Sequence, residues 1–300
     1  MPMKDITRAD RPGYLSRLAD RLTHKRRTGQ GQPIEYRYGN FSIQLPPGHM
    51  LPAYQRGHPK YDRFLPHLAK HLSASDRVID VGANVGDTLA AMYEANPKLR
   101  YICIEPDDLF FDQLLANIER IRQAGNIVDV RAIKALVGAS VSASSLDGRD
   151  GTKHAVATEN GKIASEPLDK LIGPDEGQSI RLLKTDVDGF DYDVINSASS
   201  IIENSRPYIF FELQNDNESQ YAEYLKTLKK LESAGYTDWF IFDNFGSLMF
   251  KAPDIRAIEQ IMSYVWNQNI GRSTRTVYYV DVLAVQKSDT GFIEEVLKSY

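Results

Sequence analysis

Three short apolar runs in the sequence end on or beside a carboxylate: Val78-Ile79-Asp80-Val81, Tyr101-Ile102-Cys103-Ile104-Glu105 and Leu182-Leu183-Lys184-Thr185-Asp186. Runs of this length and composition read as strands of a parallel sheet covered on both faces, and open α/β sheets bind ligands in the crevice beyond the carboxyl ends of their strands. The first run continues into Gly82-Ala83-Asn84-Val85-Gly86, where Gly82 and Gly86 let the backbone turn tightly and approach a ligand. Asp87 and Thr88 then open a helix whose Leu89, Met92 and Tyr93 fall at helical spacing and whose N-terminal amides point back to the turn. This strand, turn and helix is a nucleotide-binding unit.

The turn's chemistry narrows the nucleotide. The spacing G-x-G-x-x-G that cradles a pyrophosphate is absent, and no Lys follows the glycines to hold a triphosphate. A carboxylate at the turn repels phosphate and attracts an ammonium. Asp80 is therefore expected to face the α-amino group of S-adenosylmethionine, which carries no phosphate, in preference to NAD. Glu105 closes the next strand about 20 residues after the glycines, where a carboxylate accepts both hydroxyls of a ribose. The expected cofactor residues are Asp80, Gly82, Ala83, Asn84, Gly86, Asp87, Thr88, Glu105, Pro106 and Asp186. An NAD-linked oxidoreductase is the rival enzyme class, and a non-catalytic cofactor-binding domain the rival outside enzymes.

Regular alternation of strands and helices from Arg77 onward positions these residues in a doubly covered sheet. Strands are expected at Arg77 to Val81, Tyr101 to Glu105, near Ile127 to Val137, Ile180 to Asp186 and Pro207 to Leu213. A closing pair is expected at Trp239 to Phe250 and Thr276 to Gln286, around a helix near Ile255 to Trp266. The total is about seven strands, mostly parallel. Gly138 to Glu166, rich in Ser and Gly, reads as an irregular excursion or weak hairpin. Ahead of the sheet, alternation on either side of Gly39-Asn40 predicts a β-hairpin from Ile34 to Leu45, ended by Pro46, Pro47 and Pro52, with a helix from about Tyr61 to Leu72. The segment from Leu45 to Phe64, with His49, Tyr54, Arg56, His58 and Tyr61, suits either a lid that contacts a sugar or a connector over the sheet.

At two strings the sequence resembles a known family. Asp80-Val81-Gly82-Ala83-Asn84-Val85-Gly86-Asp87 is similar to the cofactor turn of the FkbM family of class I S-adenosylmethionine-dependent methyltransferases. Lys184-Thr185-Asp186-Val187-Asp188-Gly189-Phe190-Asp191 resembles the family's Lys-x-Asp-x-Glu-Gly-x-Glu pattern, with Asp188 and Asp191 in place of the glutamates. Weaker similarity at Leu168-Asp169 and Phe210-Phe211-Glu212-Leu213 extends the likeness over about residues 60 to 285. The resemblance implies a Rossmann-like class I methyltransferase domain over 73–300. Residues 34–72 would form a hairpin-and-helix appendage and 1–33 a basic polar arm. It further implies O-methylation of a hydroxyl on a saccharide, glycolipid or secondary metabolite. A hydroxyl is a poor nucleophile near neutral pH, so a general base is required. The candidates are Asp186 first, then Asp188, Glu212 and His58, with Asp186 otherwise an anchor for the following helix or a cofactor contact.

Other readings are weaker. Asp186, Asp188, Asp216 and Asn217 supply oxygen ligands for a divalent cation, but nothing in their spacing fixes a site, and none is expected. His67 and His71 share a helix face without a third ligand. A net charge of −4 argues against a nucleic-acid partner, although residues 1 to 40 hold nine Lys and Arg against four Asp and Glu, so peripheral contact with an anionic surface through this arm is open. The single cysteine, Cys103, excludes an intrachain disulfide. No membrane span or secretory signal is evident, and a cytoplasmic protein is expected. Oligomeric state is not legible.

Overall fold

The computed structural model describes residues 31–139, 143–147, 154–157, 163–177, 179–215, 217–269 and 277–300. The basic arm lies almost wholly outside them. Strands β1 (Ile34–Tyr38) and β2 (Phe41–Leu45) pair antiparallel with Tyr38 opposite Phe41, which confirms the hairpin. Alternation turns Phe41, Ile43 and Leu45 inward. Two helices follow, α1 (Leu51–Gly57) and α2 (Phe64–Ala69). The second is shorter than the expected helix. The first was not anticipated, because Pro52 reads as a terminator; it sits in the first turn, where a missing N–H costs nothing.

The main unit then runs in chain order β3 (Arg77–Val81), α3 (Asp87–Ala95), β4 (Arg100–Ile104), α4 (Asp108–Gln123), β5 (Asp129–Ile133) and β6 (Leu136–Val137). It continues through β7 (Ala143–Asp147), β8 (His154–Ala157), β9 (Ile163–Glu166), α5 (Leu168–Ile172) and α6 (Pro174–Gly177). Next come β10 (Ile180–Thr185), α7 (Asp191–Asn196), α8 (Ser199–Ser205), β11 (Tyr208–Leu213) and α9 (Glu218–Ser233). The last elements are β12 (Tyr236–Asp243), β13 (Leu248–Ala252), α10 (Ile255–Asn269), β14 (Val280–Gln286) and α11 (Thr290–Lys298).

Eight strands form the central sheet in the order β13-β12-β14-β11-β10-β3-β4-β5. The run from β11 to β5 is parallel, and β14 pairs antiparallel with both β11 and β12. The strand beyond the expected seven arises where Trp239 to Phe250 splits into a hairpin. Asp243 accepts hydrogen bonds from the Phe245 and Ser247 amides at 3.0 and 2.8 Å, and Gly246 adopts φ +81°. The chain therefore reverses within what reads as one apolar run. The expected excursion resolves in part into a small sheet, β6-β9-β7-β8.

Strand alternation separates two cores. Val78, Tyr101, Cys103, Leu182, Phe240 and Leu283 face one side, under the hairpin, α1 to α4 and α11. Ile79, Ile102, Leu183, Ile209, Trp239 and Val282 face the other, under α5 and α7 to α10. Among the described residues, no helix is long and apolar enough to cross a membrane. The hairpin shares the first core with α3 and α4. Asn117 of α4 accepts from the Gln44 amide at 2.8 Å and donates to the Gln44 and Val85 carbonyls at 2.9 and 2.8 Å, tying the hairpin to the glycine turn.

Candidate active site

The direction of strand addition reverses between β3 and β10, so the crevice opens where Gly82, Glu105 and Asp186 stand at neighbouring strand ends. Gly82 adopts φ +76°, and a Cβ there would lie 2.1 Å from the Asp186 carbonyl oxygen, so only glycine lets these two strand ends close up. The Gly82 and Ala83 amides both donate to the Ile104 carbonyl at 3.0 Å. Asn84, at φ +47°, turns its amide onto Glu105 Oε2 at 2.9 Å, and the Asp107 amide donates to Oε1 at 2.9 Å. Glu105 is thus fixed by two backbone donors. Burial raises its pKa to about 7, against the pull of those donors.

Gly82, Asn84, Asp87, Thr88, Glu105, Pro106 and Asp186 line a cavity of about 530 Å³. Ala83 and Gly86 do not line it. They shape the turn: Ala83 is buried, and a Cβ on Gly86 would lie 2.7 Å from Leu114 Cδ1.

Asp80 departs from expectation. It is fully buried, does not line the cavity, and its Oδ1 lies 2.9 Å from Lys184 Nζ. The parallel register sets Lys184 beside Asp80, and the same ammonium donates to the Gly82 carbonyl at 3.1 Å. Burial lowers the Lys184 pKa, and the Asp80 and Asp186 carboxylates more than reverse it. The ammonium that Asp80 was expected to receive from a ligand is supplied by the protein. Lys184 also reaches to 3.6 Å from Asp186 Oδ2, which leaves Asp186, about half exposed, on the cavity wall.

Beyond Asp186 the wall becomes a row of acids. Asp188, at φ +53°, and Glu212 from β11 line the cavity with Asp281 from β14 and Asp62, at φ +55°, from the loop before α2. The β11–β14 register sets Glu212 directly opposite Asp281. Glu212 is 5 % exposed, and among the described residues its Oε1 has no hydrogen-bond partner. Burial first, then the Asp186 charge, push its pKa well up. Asp281 is pushed the same way for the same two reasons. Asp191 opens α7, is fully buried and is raised to about 7 by burial.

His58 is not brought to the site. Its ring stacks on Phe245 with centroids 3.6 Å apart and 11° between planes, and it does not line the cavity. The segment that contains it nevertheless forms one wall, through His49, Met50, Leu51, Tyr54, Tyr61 and Asp62. His49 Nε2 lies 4.0 Å from Asp87 Oδ2. Of the residues weighed for a metal, Asp216 lies outside the described residues, and Asn217 caps α9 by accepting from the Gln220 amide at 2.9 Å. Among the described residues, no group of three His, Cys, Asp or Glu is placed to hold a metal ion.

Sequence reasoning missed Asp62, Tyr278, Tyr279 and Asp281, all on the cavity wall. For the last three a signal existed. The start of an antiparallel strand lies beside the carboxyl ends of its parallel neighbours, so Tyr278 to Asp281 at the head of β14 belong to the crevice by topology.

A doubly wound α/β sheet with an acidic crevice at its switch point defines a nucleotide-binding enzyme fold of the class I methyltransferase type. The Methyltransferase FkbM domain family matches residues 80–237. The chain belongs to that family. A solved structure of methyltransferase FkbM from Methylobacillus flagellatus KT is 13 % identical, covering 78 % of this chain and 58 % of its own, with a TM-score of 0.43. The chain thus spans less than two thirds of that protein. TYW2 from M. jannaschii, in complex with AdoMet, is 11 % identical over 85 % of this chain and 86 % of its own, with a TM-score of 0.43. Cofactor-bound Rv0187 from MTB is 15 % identical over 75 % and 79 %, with a TM-score of 0.42. No curated protein matches the sequence.

Proposed function

We propose that this chain is an S-adenosylmethionine-dependent O-methyltransferase acting on a hydroxyl of a saccharide, glycolipid or secondary metabolite. The observation that carries the cofactor assignment is the charge of the crevice. Among the described residues lining it, the only Lys or Arg is Lys184, already paired with Asp80. Among the described lining residues a pyrophosphate finds no free cation, whereas a positively charged nucleoside finds carboxylates. This speaks against an NAD-linked oxidoreductase.

The fit is specific at the turn. Glu105, held by two amides, keeps lone pairs for the ribose hydroxyls. Gly82 keeps the turn free of a side chain, and Asp87 and Thr88 line the cavity at the start of α3. When bound, the cofactor supplies a methyl group on a positively charged sulfur. Asp186 would be the base that takes the hydroxyl proton, while the bound cofactor would supply the methyl group, its sulfur keeping the bonding electron pair. A placed base contributes about 10²–10⁴-fold, and alignment and exclusion of water by the wall from His49 to Asp62 contribute the rest.

Incubation with methyl-labelled cofactor and a panel of hydroxylated saccharides and natural products tests the reading. Label on oxygen, with turnover reduced about 10²-fold or more in Asp186→Asn at near-unchanged cofactor affinity, is the expected result. Cofactor binding without turnover on any acceptor would favour a non-catalytic domain, and unchanged turnover in Asp186→Asn would remove it as base.

A further inference from the structure

We infer that the acceptor carries an ammonium group, which Glu212 and Asp281 recognise at the far end of the crevice, beside the hydroxyl to be methylated. The inference rests on the methyltransferase reading and names its substrate class. Strands in a sheet lie about 4.8 Å apart, so β11 and β14 stand roughly 10 and 14 Å from β3. The residues that suit the nucleoside, Asn84, Asp87 and Glu105, cluster at β3 and β4. The acids at β11 and β14 form a second group, past Asp186, on the side left for an acceptor.

Among the described residues, that second group lacks a counter-charge. Like charges directly opposite across an antiparallel pair are destabilising, yet the register sets Glu212 against Asp281. Lys184 is committed to Asp80 and the Gly82 carbonyl, and Arg63 to Gln55 at 3.0 Å. Glu212 lines the cavity, and its buried Oε1 has no donor among the described residues. A buried oxygen of this kind is destabilising while it stays unsatisfied. Burial favours the uncharged form of Glu212, which limits the repulsion in the free protein. An ammonium donates three hydrogen bonds and brings one positive charge to the two carboxylates. Tyr61, Tyr278 and Tyr279 line the same cavity, and aromatic side chains suit a bound cation. A neutral polyol would satisfy Oε1 but leave the charge uncompensated.

The test is calorimetric binding, in saturating S-adenosylhomocysteine, of a panel of amine-bearing saccharides, each beside its N-acetyl and hydroxyl counterparts. The expected result is that at least one amine binds about tenfold or more tightly than both neutral counterparts. That preference should fall to within about threefold in Glu212→Gln and in Asp281→Asn, with S-adenosylhomocysteine affinity held within about twofold. Equal binding within every set, a neutral preference, or no binding by any amine would overturn the inference. Failure of S-adenosylhomocysteine itself to bind would instead overturn the methyltransferase reading. For an amine that binds, mass spectrometry locating the label on nitrogen would overturn the O-methylation reading and leave the recognition of a cation standing.

Discussion

The buried pair of Lys184 and Asp80 gives the sharpest test of how the site is built. Lys184 is 4 % exposed and Asp80 not at all, so Lys184→Met leaves a carboxylate in the interior with no cation. Removing one partner of a buried pair costs about 3–5 kcal/mol, because the uncompensated charge stays behind. The Gly82 carbonyl loses its 3.1 Å donor in the same substitution. At about 2–4 °C per kcal/mol for a chain of this size, the fall in Tm is roughly 6–20 °C. The double variant Asp80→Asn/Lys184→Met removes the orphaned charge and should recover at least about half of that loss, since a neutral amide costs less to bury than a carboxylate. Urea unfolding followed by the fluorescence of Trp239, which is fully buried, reports both variants. If the double variant is as unstable as the single within about 0.5 kcal/mol, Asp80 does not depend on Lys184 and the pairing argument is wrong.

Three further outcomes follow from the same geometry. Gly82→Ala should destabilise by about 2–4 kcal/mol and abolish cofactor binding, because its Cβ would lie 2.1 Å from a backbone oxygen that cannot swing away; urea unfolding and a cofactor titration check both. Glu105 and Asp191 titrate at about 7 in the fold, against ordinary values of 4.5 and 3.8. The folded protein therefore binds more protons than the unfolded chain between about pH 4 and 7, and its stability should fall as pH rises through that window, then level off. A ligand-free Tm profile that rises instead would contradict the burial argument. Glu212→Gln should change the ligand-free Tm by no more than about 2 °C in differential scanning calorimetry at pH 8, because burial already favours the uncharged carboxyl that it replaces; a larger fall would mark Glu212 as structural.

The parts of the fold that repeat along the chain were legible. Alternation about Gly39-Asn40 located β1 and β2, and the doubly apolar runs located β3, β4, β10 and β11, because burial on one face or two leaves a period in the sequence. Relations across the sheet were not. Asp80 looked like a ligand residue because its partner lies 104 positions on, and only the β3–β10 register brings them together. A lysine inside Leu182-Leu183-Lys184-Thr185 was the available clue, since a buried ammonium demands a carboxylate. His58 failed for the opposite reason: composition marked its segment as a wall of the site, but which of its side chains face inward depends on how α1 and its loops fold. The place of Glu105 on the cavity wall needed only its own strand end and the turn beside it. Tyr278 to Asp281 needed the direction of β14, which the sequence run alone does not state.

Glu105 and its two amides are proposed as the seat for the ribose of a positively charged nucleoside. Isothermal titration of S-adenosylmethionine and, separately, NAD into the wild-type chain and Glu105→Ala measures this directly. One site per chain for S-adenosylmethionine, weakened about 10²-fold or more by Glu105→Ala, with no measurable NAD binding, is expected. Tight NAD binding, or S-adenosylmethionine binding unchanged by Glu105→Ala, would contradict it.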